Sequence, residues 1–425
     1  MSPIVALVAT TQASRRMMSS QHFVIVGAGP AGGTAAAALR RQGFSGRLTL
    51  LGRESYRPYI RPPLSKHYLR GDADRESLYL DEAGWYADND VRLLTSTVVA
   101  GLDLGSRLVH LDHGESLNYD RLLLATGATP RRLDVAGAEA PGVHYLRTLE
   151  DSDSLRDELA QGGKRVVLIG SGWIGLEVAA SARMLGNEVT ILAREAVPLS
   201  QSIGDELGGF FTEQQTRHGN VVRPSVSVDS LVADGGRVSG VRLTDGEIVP
   251  ADVVIVGIGA TPNVDLAQAA GLVLDNGVKV NERLASSDPH VFAAGDVANA
   301  FHPAAGVHIR SEHLSNAMKA GVAVAKIMRD EDVVYDDLPT FMSQQFDVTL
   351  QFAGYAPLID GAELVTRGDV NTGSFSVFWL RDGRAVAGAN VNIPDPEKAL
   401  QGVIRRARRI DAAMLRDVDV PLESL

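Results

Sequence analysis

Along this chain the apolar positions gather into short β-branched runs, each closed by glycine and followed by a stretch with helical spacing. His22 to Val26 is the first such run. It stops at Gly27, and Gly27-Ala28-Gly29-Pro30-Ala31-Gly32 leads into an Ala-rich segment reaching Leu39, a strong helix former. Leu48 to Leu51 is the next apolar run, so the order is strand, glycine turn, helix, strand. The order returns from Arg165: a strand from Val166 to Ile169, the turn Gly170-Ser171-Gly172-Trp173-Ile174-Gly175, a helix from Leu176 to Leu185, and a strand from Val189 to Leu192. Unbroken apolar strands alternating with helices predict parallel sheets covered on both faces, an α/β fold.

Two further segments share one shape. Arg121 to Pro130 is an apolar strand leading into Ala125-Thr126-Gly127-Ala128, and Val253 to Pro262 repeats it with Gly257-Ile258-Gly259-Ala260-Thr261-Pro262. Each reads as a crossing between domains. A strand and turn from Val291 to Asp296 set Asp296 at a strand end, where it either binds the hydroxyls of a nucleotide tail or caps a helix. From Tyr335 the texture changes to strand-like runs, Thr349 to Phe352 and Ser374 to Leu380, and a closing helix from Asp395 to about Ala407. The expected architecture is therefore two Rossmann-like dinucleotide-binding domains and a C-terminal α+β domain. A boundary is expected near Arg329 to Asp337.

In each glycine turn the three glycines have different jobs. Gly27 and Gly170 permit the tight turn, Gly29 and Gly172 let backbone approach a pyrophosphate, and Gly32 and Gly175 let helix and strand pack closely. The helix N-terminus, with about half a positive charge, then faces the phosphates. One GxGxxG is a weak signal; two, each between a credible strand and helix, point to two bound dinucleotides.

Composition narrows the chemistry. The chain has 425 residues, too many for one ordinary core, and a formal charge of -11, which argues against nucleic acid as a general partner. No apolar run reaches the length of a membrane span. Residues 1–19 read as a disordered extension before Met17 or Met18. A secretory signal is the weaker reading, because no basic residue precedes the Pro3–Ala9 run. The absence of cysteine excludes a redox-active thiol pair, a peroxidatic cysteine and a thiolate metal site. The ten histidines show no metal-ligand spacing.

Arg61-Pro62-Pro63-Leu64-Ser65-Lys66, Leu124-Ala125-Thr126-Gly127, Gly175-Leu176-Glu177, Ala294-Gly295-Asp296 and Asp419-Val420-Pro421-Leu422 follow one another in the order of a known group. The chain resembles, from about residue 21 to its end, the FAD-dependent ferredoxin, putidaredoxin and rubredoxin reductases, whose fold is glutathione-reductase-like. The resemblance implies an FAD domain of residues 20–145 plus 270–332, an NAD(P)H domain of 146–269 and a C-terminal domain of 333–425. It implies FAD contacts from Gly27, Gly29, Pro30, Ala31, Gly32, Arg53, Glu54, Arg61, Lys66, Thr126, Gly127, Arg131, Asp296 and Leu314. It implies nicotinamide-nucleotide contacts from Gly170, Gly172, Trp173, Ile174, Gly175, Glu177, Arg194, Gly257 and Gly259. Lys66 is expected beside the flavin and Glu177 against Lys66, the two being the catalytic pair; a cation there stabilises the anionic reduced ring. The alternative for Lys66 is a solvated loop lysine, and for Arg131 a surface arginine.

The implied reaction is hydride transfer from NAD(P)H to FAD, then single electrons to an iron–sulfur ferredoxin that serves a P450 or oxygenase, in the cytoplasm. A rubredoxin reductase or diaphorase, and a redox-controlled binding protein like apoptosis-inducing factor, share the fold and stay open. Three departures stand out. Ala193-Arg194 occupies the place of the acid that binds an NAD ribose, which tilts the nucleotide toward NADPH or dual use; Glu195 could still serve NAD. Arg53 stands where relatives place an acid, with Glu54 as its replacement. Leu314 and Met342 stand where members carry tryptophan, and Gln344 where an acidic residue is usual. The run Arg405-Arg406-Ala407-Arg408-Arg409 is the basic cluster of an acidic chain: a docking face for an acidic ferredoxin, or a solvated helix face.

Overall fold

The computed structural model describes residues 20–393 and 397–425. The 1–19 extension and the expected start of the last helix, 394–396, lie outside the described residues. In chain order the principal elements begin with β1 (His22–Val26), α1 (Pro30–Arg41), β2 (Arg47–Leu51), β3 (Val91–Leu94), β4 (Arg121–Leu124) and β5 (Val143–His144). Then come β6 (Arg165–Ile169), α2 (Trp173–Met184), β7 (Glu188–Leu192), α3 (Ser200–Arg217), β8 (Val221–Arg223) and β9 (Val253–Val256). The chain continues with β10 (Val291–Ala293), α4 (Leu314–Ile327), β11 (Thr340–Gln345), β12 (Val348–Gly354), β13 (Glu363–Asp369), β14 (Ser374–Arg381) and β15 (Arg384–Val391). It closes with α5 (Glu397–Arg406) and α6 (Ala412–Arg416). The second helix starts at Trp173, not Leu176, because the last three positions of its glycine turn already form the first helical turn.

Contacts divide the described chain into two compact units: residues 20–60, Leu78–Ala128 and Pro262–Thr340, and separately Arg61–Ser77, Thr129–Thr261 and Phe341–Leu425. The first unit is built on a parallel sheet of order β10-β4-β1-β2-β3. Its central strand β1 is buried at every position, which is why His22 to Val26 shows no polar alternation. Alanine fills α1 for a reason beyond propensity: α4 crosses it so closely that a Cβ at Gly321 would lie 2.7 Å from the Ala31 carbonyl. Larger side chains on either helix would force them apart.

The second unit repeats the plan with a parallel sheet of order β8-β7-β6-β9-β5. It also holds the sheet of order β11-β12-β15-β14-β13, in which β15 pairs antiparallel with both β12 and β14. Leu400, Val403 and Ile404 bury one face of α5, and Gly388 leaves room for Leu400, whose Cδ1 would lie 2.5 Å from a Cβ there. The closing Asp419-Val420-Pro421-Leu422 stretch is fastened by Arg367, which donates to the carbonyls of Leu415, Asp417, Val418 and Val420.

Candidate functional site

In the first glycine turn the three glycines differ in what surrounds them. Gly27 has φ +117° and a Cβ there would meet the Ala125 carbonyl at 2.1 Å, so both backbone shape and neighbour demand glycine. A Cβ at Gly32 would sit 1.9 Å from the Gly27 carbonyl oxygen. At Gly29 nothing in the protein lies within 4 Å of the Cβ position, and its backbone (φ -85°, ψ -170°) suits any residue. Gly29 is also the N-cap of α1 and no side chain caps that end. An open slot in front of an uncapped helix N-terminus is a seat for an anion.

The second turn has the same division. Gly170 has φ +106° and a Cβ there would meet the Gly257 carbonyl at 2.3 Å. Gly172 faces open space, with extended backbone and no side-chain cap for α2. Gly175 is tight, its Cβ position 3.1 Å from the Gly170 oxygen, and a Cβ at Gly257 would lie 3.4 Å from the Gly175 Cα. Gly259 has φ +99°. Trp173 packs edge-on against Phe211 and Phe341, and Ile174 projects outward, 53% exposed. At the end of β7, Ala193 is buried and Arg194 exposed, without an ion-pair partner among the described residues. Glu195 reaches back to the turn: Ser171 Oγ lies 3.4 Å from its Oε2, and Gln201 Nε2 3.4 Å from its Oε1.

Lys66 is not a solvated loop lysine. Pro62–Ser65 forms a 3-10 turn with its prolines at the first positions, where a missing N–H is harmless. Leu64 and Ser65 carbonyls accept from Ser152 Oγ at 2.9 Å and Ser181 Oγ at 2.7 Å, which pins the turn down. Lys66 is consequently buried, and its Nζ donates to Glu177 Oε2 at 2.5 Å. Ser65 Oγ donates to the same oxygen at 2.6 Å. Ser343 Oγ donates to Glu177 Oε1 at 2.8 Å. Sequence reasoning found the pair and missed both serines. Next to it, Arg70 donates to His67 Nδ1 at 2.8 Å, which leaves the His67 Nε2 proton to be donated to Gln344 Oε1 at 3.1 Å.

Among the other expected FAD contacts, Tyr59 donates its hydroxyl to Glu54, and Arg53 is exposed. Thr126 Oγ1 donates to the Asn263 carbonyl at 2.8 Å, and Gly127, with φ +72°, accepts from the Asn263 N–H at 2.9 Å. Asp296 lies inside a 3-10 turn, Gly295–Val297, whose N-cap is Ala294, so it is not a helix cap. Leu314 opens α4 and is half-buried, with His313 as N-cap. Burial pushes the His313 imidazole down to about 4, despite the opposing charge of Asp296. In the second unit, Arg61 donates to the Arg147 carbonyl at 2.6 Å, and Arg131 is exposed with its Nε 3.4 Å from the Ala260 carbonyl.

Residues 21–321 match the family described as pyridine nucleotide-disulphide oxidoreductase, and residues 340–425 match the reductase C-terminal family. The chain belongs to the pyridine nucleotide-disulphide oxidoreductase family. Rhodocoxin reductase of Rhodococcus erythropolis is 39% identical over 402 residues, covering 94% of this chain and 93% of its own. The ferredoxin–NAD(+) reductase component of the p-cumate 2,3-dioxygenase system of Pseudomonas putida is 38% identical, over 94% of this chain and 97% of its own. The crystal structure of the covalent putidaredoxin reductase–putidaredoxin complex superposes with a TM-score of 0.91 at 36% identity, covering 96% of this chain and 98% of that one.

This member of the oxidoreductase family is an NAD(P)H-dependent flavoenzyme using FAD. Its turns fit two dinucleotides: each has an uncapped helix N-terminus and a middle glycine that no protein neighbour requires. Despite the family's name it holds no cysteine, so a disulphide is neither its substrate-binding group nor its electron store. In the C-terminal domain the basic run is not one surface. Arg406 donates to the Leu425 and Leu422 carbonyls at 2.8 and 2.7 Å and fastens the chain end. Arg405, Arg408 and Arg409 are exposed, and Arg384 joins them because its backbone bridges to Arg409. Among the described residues no helix is long and apolar enough to cross a membrane, and no acidic or histidine group is arranged to hold a metal ion.

Proposed function

We propose that this chain is a cytoplasmic NAD(P)H:ferredoxin reductase that takes hydride from the nicotinamide and delivers single electrons to a small iron–sulfur protein feeding a P450 or oxygenase. The observation that carries this reading is the combination of two ligand-facing glycine turns with a complete lack of cysteine. Disulfide reductases and thiol peroxidases need a thiolate, whereas electron delivery to an iron–sulfur cluster does not. Bound FAD would supply the change from two-electron to one-electron transfer. Residues 20–145 with 270–332 hold it in this reading, 146–269 hold the nicotinamide nucleotide, and 333–425 form the third domain.

The chain's own residues then bind and orient. The α1 and α2 N-termini hold the two pyrophosphates, Glu54 and Asp296 take hydroxyls of FAD, and Lys66 supplies positive charge to the reduced ring. Glu177 keeps that charge in place. Ferredoxin docks on Arg405, Arg408, Arg409 and Arg384, with Arg406 holding the chain end beneath them. Exposed Arg194 suits a 2'-phosphate and Glu195 a ribose hydroxyl, so NADPH is preferred with NADH also used.

Absorbance-monitored titration with NADPH and NADH, followed by cytochrome c reduction through a panel of ferredoxins, tests the reading. Rapid flavin bleaching and ferredoxin-dependent turnover are expected. Slow reduction with no turnover on any ferredoxin would replace it with a redox-controlled binding protein. A strong preference for NADH in kcat/KM would overturn the nucleotide assignment alone.

A further inference from the structure

We infer that Ser343, on the first strand of the C-terminal domain, is a positioning residue for the Lys66–Glu177 pair, and that this domain is thereby part of the hydride-transfer apparatus. The inference rests on the reading that Lys66 acts on the flavin.

Side chains two apart on β11 share a face, so Ser343 and Gln345 point one way and Met342 and Gln344 the other. Ser343 and Gln345 are buried, at 1% and 0% exposed, whereas Met342 is 61% exposed. Both inward residues reach the start of α2 or its support. Ser343 Oγ donates to Glu177 Oε1 at 2.8 Å. Gln345 Oε1 accepts from Gln215 Nε2 at 2.9 Å, and Gln215 Nε2 also donates to the carbonyl of Leu176, the residue before Glu177, at 3.1 Å. Asn220 Nδ2 in turn donates to Gln215 Oε1 at 2.6 Å. Gln345 thus fixes the register at which Ser343 meets Glu177.

The two Glu177 oxygens divide their partners. Oε2 takes Lys66 and Ser65, both from the proline turn, and Oε1 takes Ser343 from the C-terminal strand. With Ser343 in place, the carboxylate is held by donors on both oxygens and presents one edge to the ammonium. Without it, Oε1 is buried with its donor removed, while Lys66 stays paired to the other oxygen of the same carboxylate. The carboxylate would rotate toward the ammonium, draw it from its position and neutralise it more fully. The cation offered to a reduced flavin would be weaker and misplaced, so hydride acceptance would slow while nucleotide binding, set by the glycine turn, would persist.

The test compares the FAD-loaded enzyme with its Ser343→Ala and Ser343→Thr variants, and with Glu177→Gln as reference. Measured are flavin content, thermal midpoint, Kd for NADP+, the flavin reduction potential and the single-turnover rate of flavin reduction. Ser343→Ala is expected to keep its flavin and its Kd, to slow flavin reduction about tenfold, and to shift the potential negative. Ser343→Thr, which keeps the hydroxyl, should recover most of the rate and the potential. A lowered thermal midpoint with unchanged potential and rate would overturn the inference and make Ser343 a packing residue. So would a Thr variant as slow as Ala at normal flavin content. If Glu177→Gln itself leaves rate and potential untouched, the underlying reading of the Lys66–Glu177 pair fails. A Glu177→Gln effect without a Ser343→Ala effect refutes only the positioning role.

Discussion

Substituting alanine at two glycines three residues apart should have opposite consequences. At Gly32 the new methyl carbon would stand 1.9 Å from the Gly27 carbonyl oxygen and 3.1 Å from Ile25 Cγ2, against an ordinary carbon–oxygen contact of about 3.3 Å. The clashing oxygen is backbone and belongs to a turn fixed by φ +117° at Gly27, so it cannot swing away. Helix α1 would have to lift from β1 by more than an ångström, against α4, which already touches its other side at Gly321. Overpacking of this kind destabilises by about 3 kcal/mol or more. At Gly29 a methyl group meets nothing within 4 Å and the backbone is acceptable to alanine. A stiffer unfolded chain gains about 0.4–1 kcal/mol, and the poorer N-cap loses about as much. Apoprotein stability should therefore stay within about 1 kcal/mol of the parent.

The methyl would nevertheless fill the space in which a pyrophosphate meets the α1 N-terminus. Affinity for FAD should fall at least a hundredfold, about 2.7 kcal/mol. Urea unfolding of the apoproteins by circular dichroism gives the first quantity, and quenching of free FAD fluorescence gives the second. Gly29→Ala with parental FAD affinity would refute the assignment of this turn to a phosphate. Gly32→Ala with parental stability would refute the packing argument.

Gly172→Ala should act likewise on the second turn, raising Kd for NADP+ in calorimetry while flavin content is unchanged. Neutralising Arg405 and Arg408 should raise KM for a cognate ferredoxin steeply at low salt and little at high salt, whereas Arg406→Ala should lower the unfolding midpoint through loss of its two carbonyl partners. Arg367→Ala should likewise reduce stability, by about 2–4 kcal/mol, because four backbone carbonyls lose one shared donor; urea unfolding checks it. His313 is held at about 4 in the folded chain instead of 6.5, so the unfolded chain binds more protons between those values. Stability should then fall as pH drops from 6.5 to 4, by up to about 3 kcal/mol from this group. Unfolding of His313→Asn across that range should show a shallower slope. Asp252, lowered to about 2 by its pairing with Arg165, adds a further loss below pH 3.8.

The local grammar of the chain was sufficient for the two βαβ units. Apolar runs without alternation, closed by glycine, dictate strands buried on both faces, and the glycine spacing dictates a tight turn into a helix N-terminus. The missing cysteines restricted the chemistry without any geometry. Proline followed by Leu64-Ser65-Lys66 marked a fixed turn, and Glu177 was placed against Lys66 through the family resemblance. What the sequence left hidden were contacts between residues far apart in the chain. Ser343 lies 166 residues from Glu177, and within Phe341 to Gln345 the residues whose types depart from relatives are Met342 and Gln344, the outward positions. Strand alternation would have shown that Ser343 and Gln345 share the opposite face, but only folding reveals which carboxylate that face meets.

The basic run teaches the same lesson. Five residues read as one charged patch in sequence, yet helix geometry and the returning chain end divide them: Arg406 binds carbonyls while Arg405 and Arg408 face water. Sequence by itself determined which segments fold locally and which chemistries the side chains allow, because those depend on neighbours a few residues away. Tertiary structure alone decided that two serines complete the hydrogen bonding of Glu177, that Arg406 binds the Leu422 and Leu425 carbonyls, and that no protein neighbour crowds a Cβ at Gly29 or Gly172. Those facts depend on distances between distant residues, which no local pattern encodes.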